Sequence, residues 1–346
     1  MNFEASTVPV LLLGFNRPDK MRRVIEPLRC VRPNRVFIGI DGPRADREDE
    51  PAKCLAAQLI AEAAIDWPCQ VMRLYRDHNL GCRAAVSGAI SWAFEHVDEL
   101  LILEDDCIVD PSFIAFSRVL LDRHRHDHSI FNIAAVNFQQ GRRRGDGDYY
   151  ASKYAHCWGW ATWKRAWIHY EDNMDKLRPF IESKAFDMCH ESATERAYWR
   201  KVFAMCEEGR VDSWAYRWLF ACWQHRALTL LPNANLVINI GFDAYATHTR
   251  VDCQFIERPM QSLVSSNEPF LLAANKEADQ FTFENVFCPP CSHEERDILH
   301  DQIKLLRNQI KDLEISNRES KKLTKLFQWM RQNPRKAIWR LLRGKL

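Results

Sequence analysis

The chain has 346 residues, 47% of them apolar, enough for one large domain or two modest ones around a sizeable core. Its formal net charge of +2 hides an asymmetry: residues 321–346 carry nine Lys and Arg and no Asp or Glu, and subtracting those nine leaves −7 for the rest. An acidic body with a basic tail argues against a nucleic-acid-binding domain and for an ordinary globular body with an interaction tail.

At the N-terminus Glu4 interrupts any signal-like run, and the apolar stretch Val8–Leu13 is too short for one. No stretch approaches the ~18 apolar residues of a membrane span, so a cytoplasmic protein is expected. Val8–Leu13 is rich in Val and Leu and reads as a buried parallel strand, ended by Gly14-Phe15-Asn16-Arg17-Pro18. Asp19 is expected to cap a helix running to about Leu28. Arg35–Ile40 is the second strand, closed by Asp41-Gly42-Pro43, and Ala52–Ile65 a helix. Cys69–Tyr75 is the third strand, and Asn79-Leu80-Gly81 leads into a helix to about His96. Leu100–Leu103 is the fourth strand, Pro111 opens a helix, and Ile130–Val136 is a fifth strand. Strands alternating with helices predict right-handed βαβ crossovers and a parallel sheet covered on both faces. No G-x-G-x-x-G follows the first strand, which argues against a dinucleotide-binding domain.

Glu104-Asp105-Asp106 follows the fourth strand directly. Burying one unpaired carboxylate costs several kcal/mol, so three together need solvent, a divalent cation or sugar hydroxyls. Ligands of open α/β sheets bind at this carboxyl edge. The triplet therefore points to an enzyme holding a metal and an anionic ligand such as a nucleotide. Beyond residue 140 the character changes. Residues 139–148 are a Gly- and Arg-rich loop, followed by Trp158, Trp160, Trp163, Trp167, Trp214, Trp218 and Trp223. An apolar strand signal returns within 228–250, ending in Asn239-Ile240-Gly241-Phe242-Asp243 and Thr247-His248-Thr249.

The twelve Cys show no regular spacing and fit reduced thiols. Only Cys288-Pro289-Pro290-Cys291 with His293 is spaced like a metal site, and no second ligand pair follows it. Residues 256–294 read as a linker. Leu299, Ile303, Leu306, Ile310 and Leu313 then follow heptad spacing, which suits either a short coiled coil making a homodimer or a helix packed on its own domain. Residues 334–346 mix Ile338, Trp339, Leu341 and Leu342 with five basic residues, as an interfacial helix on an anionic membrane does, or a solvated tail.

The Val8–Leu13 run followed by Asn16-Arg17, Asp41 after the second strand, the Asn79-Leu80-Gly81 step and Glu104-Asp105-Asp106 together resemble the N-acetylglucosaminyltransferase I family, especially its bacterial nucleotide-diphospho-sugar transferase relatives. The resemblance covers residues 8–250. It implies an α/β GT-A fold, Rossmann-like, as one transferase domain over residues 1–255, with a nucleotide-sugar half to 140, an acceptor half from 141, and a C-terminal helical extension from 295. It also implies inverting transfer from a UDP-sugar, UDP-GlcNAc among the donors, to a saccharide or lipid-linked saccharide, with Mn²⁺ or Mg²⁺ as cofactor.

Residue by residue, Asp106 would hold the metal, with His248 a second contact to metal or phosphate. Glu104 and Asp105 would meet ribose or sugar hydroxyls. Arg17 would reach the diphosphate or the base edge, and Arg83 stands at a helix start, where the dipole favours an anion; Asp41 would accept from the base. Trp158, Gly159 and Trp160 would line the sugar or acceptor. Deprotonating the acceptor needs a carboxylate base; the matching segment, residues 211–218, offers Asp212, with Asp243 second, and departs from the family in having Ala215 where Asp is common. Two other readings compete: a sugar nucleotidyltransferase, which usually carries a Gly-rich signature with Arg and Lys near the first strand that residues 14–18 do not supply, and a non-catalytic saccharide-binding protein.

Overall fold

A computed structural model describes residues 8–190, 192–241 and 259–288, with 325–326, 328–330, 332–333 and 336. The chain divides into two units, Met1–Val286 and Phe287–Leu346. In the second, the described residues beyond Cys288 lie between 325 and 336, mostly helical, and include the buried Met330. The heptads of 299–313, Cys291, His293 and nearly all of the basic tail lie outside the described residues. Among the described residues no helix is long and apolar enough to cross a membrane.

The first unit begins β1 (Val10–Gly14), α1 (Pro18–Ile25), β2 (Arg35–Ile40), α2 (Glu50–Ala64), β3 (Gln70–Tyr75), α3 (Gly81–Ala93) and β4 (Glu99–Glu104). It continues through β5 (Cys107–Val109), α4 (Pro111–Arg123), β6 (Ile130–Ala134), β7 (Tyr149–Ser152) and β8 (Trp160–Trp163). Helices α5 (Lys164–Trp167), α6 (Leu177–Ile181), α7 (Lys184–Cys189), α8 (Ala193–Glu207) and α9 (Trp214–Gln224) follow, then β9 (Leu228–Pro232), β10 (Val237–Asn239) and α10 (Lys276–Thr282). The eight-stranded sheet has the order β3-β2-β1-β4-β8-β6-β9-β7, and β5 pairs with β10 in a two-stranded sheet.

The first four strands are parallel, as their continuous apolar runs predict, and β1 and β4 are almost wholly buried. Beyond β4 the parallel expectation needs correcting. β8 runs antiparallel to both β4 and β6, and β7 runs antiparallel to β9, so six of the eight strands share one direction. This is a mostly parallel α/β sheet of the Rossmann-like kind. The first helix also differs from expectation: Arg17 takes the N-cap position and Pro18 sits in the first turn, which puts Asp19 inside the helix rather than at its cap.

The expected linker is likewise revised, because residues 259–286 belong to the first unit. Asn275 caps α10 by accepting from Ala278 N at 3.0 Å, and Asp279 of α10 accepts from Ser152 Oγ of β7. The Trp-rich region proves to be core. Trp160 of β8 is fully buried, its ring 6.2, 5.6 and 5.8 Å from those of Trp167, Trp214 and Trp218. Such contacts add about 0.5–1.5 kcal/mol each beyond the area they bury. They lock α9 and β8 together under the second half of the sheet.

Candidate active site at the carboxyl edge

Strand register brings the first functional group together. Gly14 pairs with Ile40 and Leu13 with Glu104, so β1, β2 and β4 end level with one another. Arg17, Asp41 and Asp105 then follow those ends, as the edge rule expects. Arg17 donates to both oxygens of Asp105 and, at 3.2 Å, to Asp106 Oδ2. Asp105 has 4% of its side chain exposed against 34% for Arg17. Burial pushes Asp105 up to about 6 in spite of Arg17. Burial also works against the Arg17 charge, but Asp105 and Asp106 outweigh it and hold the guanidinium protonated. Half-buried Glu104 is raised as well, first by loss of water and then by the charges of Asp106 and Asp105.

Asp106 is held more loosely than Asp105. Its Oδ1 has only long contacts, 3.4 Å to Asn239 Nδ2 and 3.4 Å to Cys107 Sγ. Ile240 N donates to its carbonyl at 2.8 Å, tying the β10 end over it. Gly241 then passes so close that an added Cβ would lie 2.4 Å from Asp106 Oδ2 and 2.9 Å from Asn239 Oδ1. Gly241→Ala is therefore expected to turn Asp106 aside. Metal-dependent nucleotide affinity should fall about ten- to a hundred-fold, as when groups supporting a ligand are removed, with unfolding in urea nearly unchanged. Calorimetric titration checks this.

Asp41 is committed to structure. It accepts from Gly42 N at 2.9 Å, Leu80 N at 3.0 Å and Asn79 Nδ2 at 2.8 Å, fixing the turn into α3. Its carboxylate holds the loop that a base would approach, and burial raises its pKa. Arg83, in the first turn of α3, is bound by Asp172 and Asp212 and so does not stand free for a phosphate. Asp172 is further held by Arg217, whose Nε donates to its carbonyl at 2.9 Å. Asp212 does not cap α9, since Ser213 does.

Cys82, beside Arg83, marks where these groups meet. Although Cys82 is exposed, loss of water around its thiol, and after it the charges of Glu104, Asp212, Asp106 and Asp41, push it up. Cys157 is raised by burial and then by Glu104, Cys82 and Asp106. The triplet and Asp212 thus both bear on the start of α3: their charges act on Cys82, and a Cβ on Gly81 would lie 3.9 Å from Asp212 Oδ2.

The 156–160 segment divides. His156 is buried and driven down to about 3, hence neutral. Trp158 is half-buried with its ring 5.2 Å from Phe138. Gly159 has φ +62°, and an added Cβ would lie 2.7 Å from Val109 Cγ1, so glycine is required there for packing. Trp160 has no exposed face, which corrects its expected role in stacking on a sugar. Asp243 and His248 lie outside the described residues. The sequence reading missed Asp172, Arg217 and Cys82; Asp172 follows the Trp-rich stretch with no motif of its own.

No protein-family model matches the chain, and no curated protein matches it. Solved structures of similar chains include a cytidylyltransferase from Leptospira borgpetersenii serovar Hardjo-bovis strain JB197, 11% identical over 59% of this chain and 73% of that one, with a TM-score of 0.30. CMP:2-keto-3-deoxy-manno-octonic acid synthetase complexed with CTP is 11% identical over 59% and 87%, TM-score 0.31. UDP-glucose pyrophosphorylase complexed with UDP-glucose is 8% identical over 47% and 78%, TM-score 0.29. At that degree of overlap, function has to be argued from this chain's own residues.

An all-oxygen set at Glu104, Asp105 and Asp106 has the chemistry of a hard divalent cation's ligands, and Asp106 Oδ1 makes only long contacts among the described residues. Among the described residues no three carboxylate, imidazole or thiol groups converge as a complete ligand set.

Proposed function

We propose that the chain is a transferase acting on a nucleotide-activated sugar, and that the reaction is inverting glycosyl transfer from a UDP-sugar to a saccharide or lipid-linked saccharide hydroxyl. What supports it is that two carboxylate groups bear on the start of α3: the triplet at the end of β4, whose charges act on Cys82, and Asp212 with Asp172, which hold Arg83. A hydroxyl acceptor needs a base, and Asp212 supplies a half-exposed carboxylate for it. Asp106 would hold Mn²⁺ or Mg²⁺, which supplies charge neutralisation for a departing diphosphate. Arg17 contributes fixed positive charge beside the triplet, and Glu104 accepts from sugar or ribose hydroxyls.

Sugar nucleotidyl transfer is the second reading, and it is the activity that names such as cytidylyltransferase carry. Its acceptor, a sugar phosphate, is already anionic and needs no base, so Asp212 would be idle. The turn after β1 also offers a triphosphate only Arg17, already held by Asp105.

Calorimetry with UDP, UDP-glucose and UDP-GlcNAc, with and without Mn²⁺, separates these readings when joined to product assays. Expected are Mn²⁺-dependent binding, a loss of more than about 100-fold for Asp106→Ala, and UDP released from a UDP-sugar. Pyrophosphate released from UTP and a sugar 1-phosphate, without UDP release, establishes nucleotidyl transfer instead. No nucleotide binding in either condition removes the diphosphate site altogether.

A further inference from the structure

The ion pairs with Arg83 turn the Asp212 carboxylate, but they do not fix the backbone beneath it. Asp172 and Asp212 are 52% and 55% exposed, so both pairs lie open to water and salt. A general base has to be held to within about 0.5 Å, by groups that are themselves locked. Ser213, the residue after Asp212, caps α9 through its Oγ, which accepts from Tyr216 N. A second, buried contact acts on its carbonyl.

That contact is Arg217, one turn further along α9, with a side chain 8% exposed. Helix side chains lean toward the N-terminus, and Arg217 Nη1 reaches back to donate to Ser213 O at 3.0 Å. Its Nε donates to Asp172 O at 2.9 Å, 45 residues away in sequence, and lies 3.7 Å from Asp172 Oδ1. One guanidinium thus joins the backbone beside Asp212 to the backbone of Asp172. The segment leading to Asp172 is fastened to α9 by rings: Trp167 lies 5.2 Å from Trp218, and His169 3.9 Å from His225. Those rings anchor the segment before Asp172, and Arg217 anchors it at Asp172.

We propose that Arg217 is a positioning residue for the transfer. It sets the separation of Asp172 and Asp212, and so the direction in which the Asp212 carboxylate meets the acceptor hydroxyl. The proposal rests on the reading of Asp212 as the base, and Arg217 acts on the reacting atoms through it. Arginine suits this place because its planar fork serves two acceptors in fixed directions, whereas lysine is a point charge on a flexible stem. Arg217→Lys keeps the charge and loses the fork, which makes it the diagnostic change.

Three measurements on the full chain test it, in wild type, Arg217→Lys, Asp212→Asn and the double variant. They are kcat and donor KM for UDP release from UDP-GlcNAc and UDP-glucose with Mn²⁺, calorimetric binding of UDP with Mn²⁺, and amide exchange over residues 168–175 and 211–216. Arg217→Lys is expected to lower kcat about 10- to 100-fold, the loss a small misplacement causes, with KM and UDP affinity within about twofold. Exchange should quicken in both segments. On the Asp212→Asn background the same change should cost less than about twofold more, because it acts through the group already removed. Equal losses on the two backgrounds overturn the proposal, since Arg217 would then act apart from Asp212. So does unchanged exchange in either segment, or UDP affinity that falls along with kcat. Should Arg217→Lys fail to fold, Arg217→Gln, which keeps a neutral donor for one of the carbonyls, takes its place with the same pattern expected. Failure of the base reading looks different, and takes the proposal with it: Asp212→Asn then costs less than about tenfold, while Arg217→Lys still quickens exchange in both segments.

Discussion

Arg17→Ala should destabilise the protein by about 2–3 kcal/mol at pH 7.5, about 2 kcal/mol of it from the pH range above the Asp105 pKa of about 6, and by about 1 kcal/mol or less at pH 5. The pH dependence follows from Asp105. Its folded pKa, about 6, lies above the ~3.9 of an unfolded Asp. Between those values the folded state keeps a proton that the unfolded state has lost, so stability is highest at the acid end and falls as pH rises through this window. Two pKa units amount to about 3 kcal/mol. Removing Arg17 takes away the opposing Coulomb and hydrogen-bond effects, lifts Asp105 further and extends the loss to higher pH. At pH 5 Asp105 is protonated with or without Arg17, and the variant approaches wild type. Asp105→Asn should cost less at pH 7.5, because the released guanidinium, 34% exposed, can turn to water. Urea unfolding at the two pH values decides the matter; an Arg17→Ala penalty that is the same at both would show that Asp105 is not its source.

This ion pair also shows where sequence reading stops. The carboxyl-edge placement of Arg17, Asp41 and Asp105 was legible, because a short apolar run followed by Gly, Pro or Asp marks the end of a buried parallel strand. Their partners were not. Arg17 meets Asp105 across 88 residues, and Arg83 meets Asp212 across 129. Both Asp41 and Arg83 were read as ligand groups because of where they stand, yet Asp41 holds the Asn79–Leu80 turn and Arg83 holds two carboxylates. Nor did β7 and β8 stand out. At four residues each they are too short for a period, and the aromatics of Trp160–Trp163 suit a sugar platform as well as a core. Pairing decided it: set antiparallel between β4 and β6, β8 has Trp160 and Thr162 fully buried.

Asp212→Asn should lower kcat about 10²–10⁴-fold, the usual contribution of a general base, while the donor KM stays within a few-fold. Stability gives no reason for Asp212 to be there. Its side chain is 55% exposed and pairs with an arginine 27% exposed, a surface ion pair of the kind worth about 1 kcal/mol or less. Asp212→Asn should therefore unfold at nearly the wild-type urea concentration. The triangle with Arg83 and Asp172 instead sets where the Asp212 carboxylate points. Arg83→Ala, which releases it, should cost about tenfold in kcat, and adding Asp212→Asn to Arg83→Ala should cost less than in wild type, because coupled groups do not add. Asp172→Asn leaves Arg83 wholly to Asp212 and should stay within about fivefold. Steady-state rates of UDP release for the five proteins test the scheme. If Asp212→Asn loses less than about tenfold, its carboxylate is only an anchor for Arg83, and the base has to be sought at Asp243, the next carboxylate past Gly241.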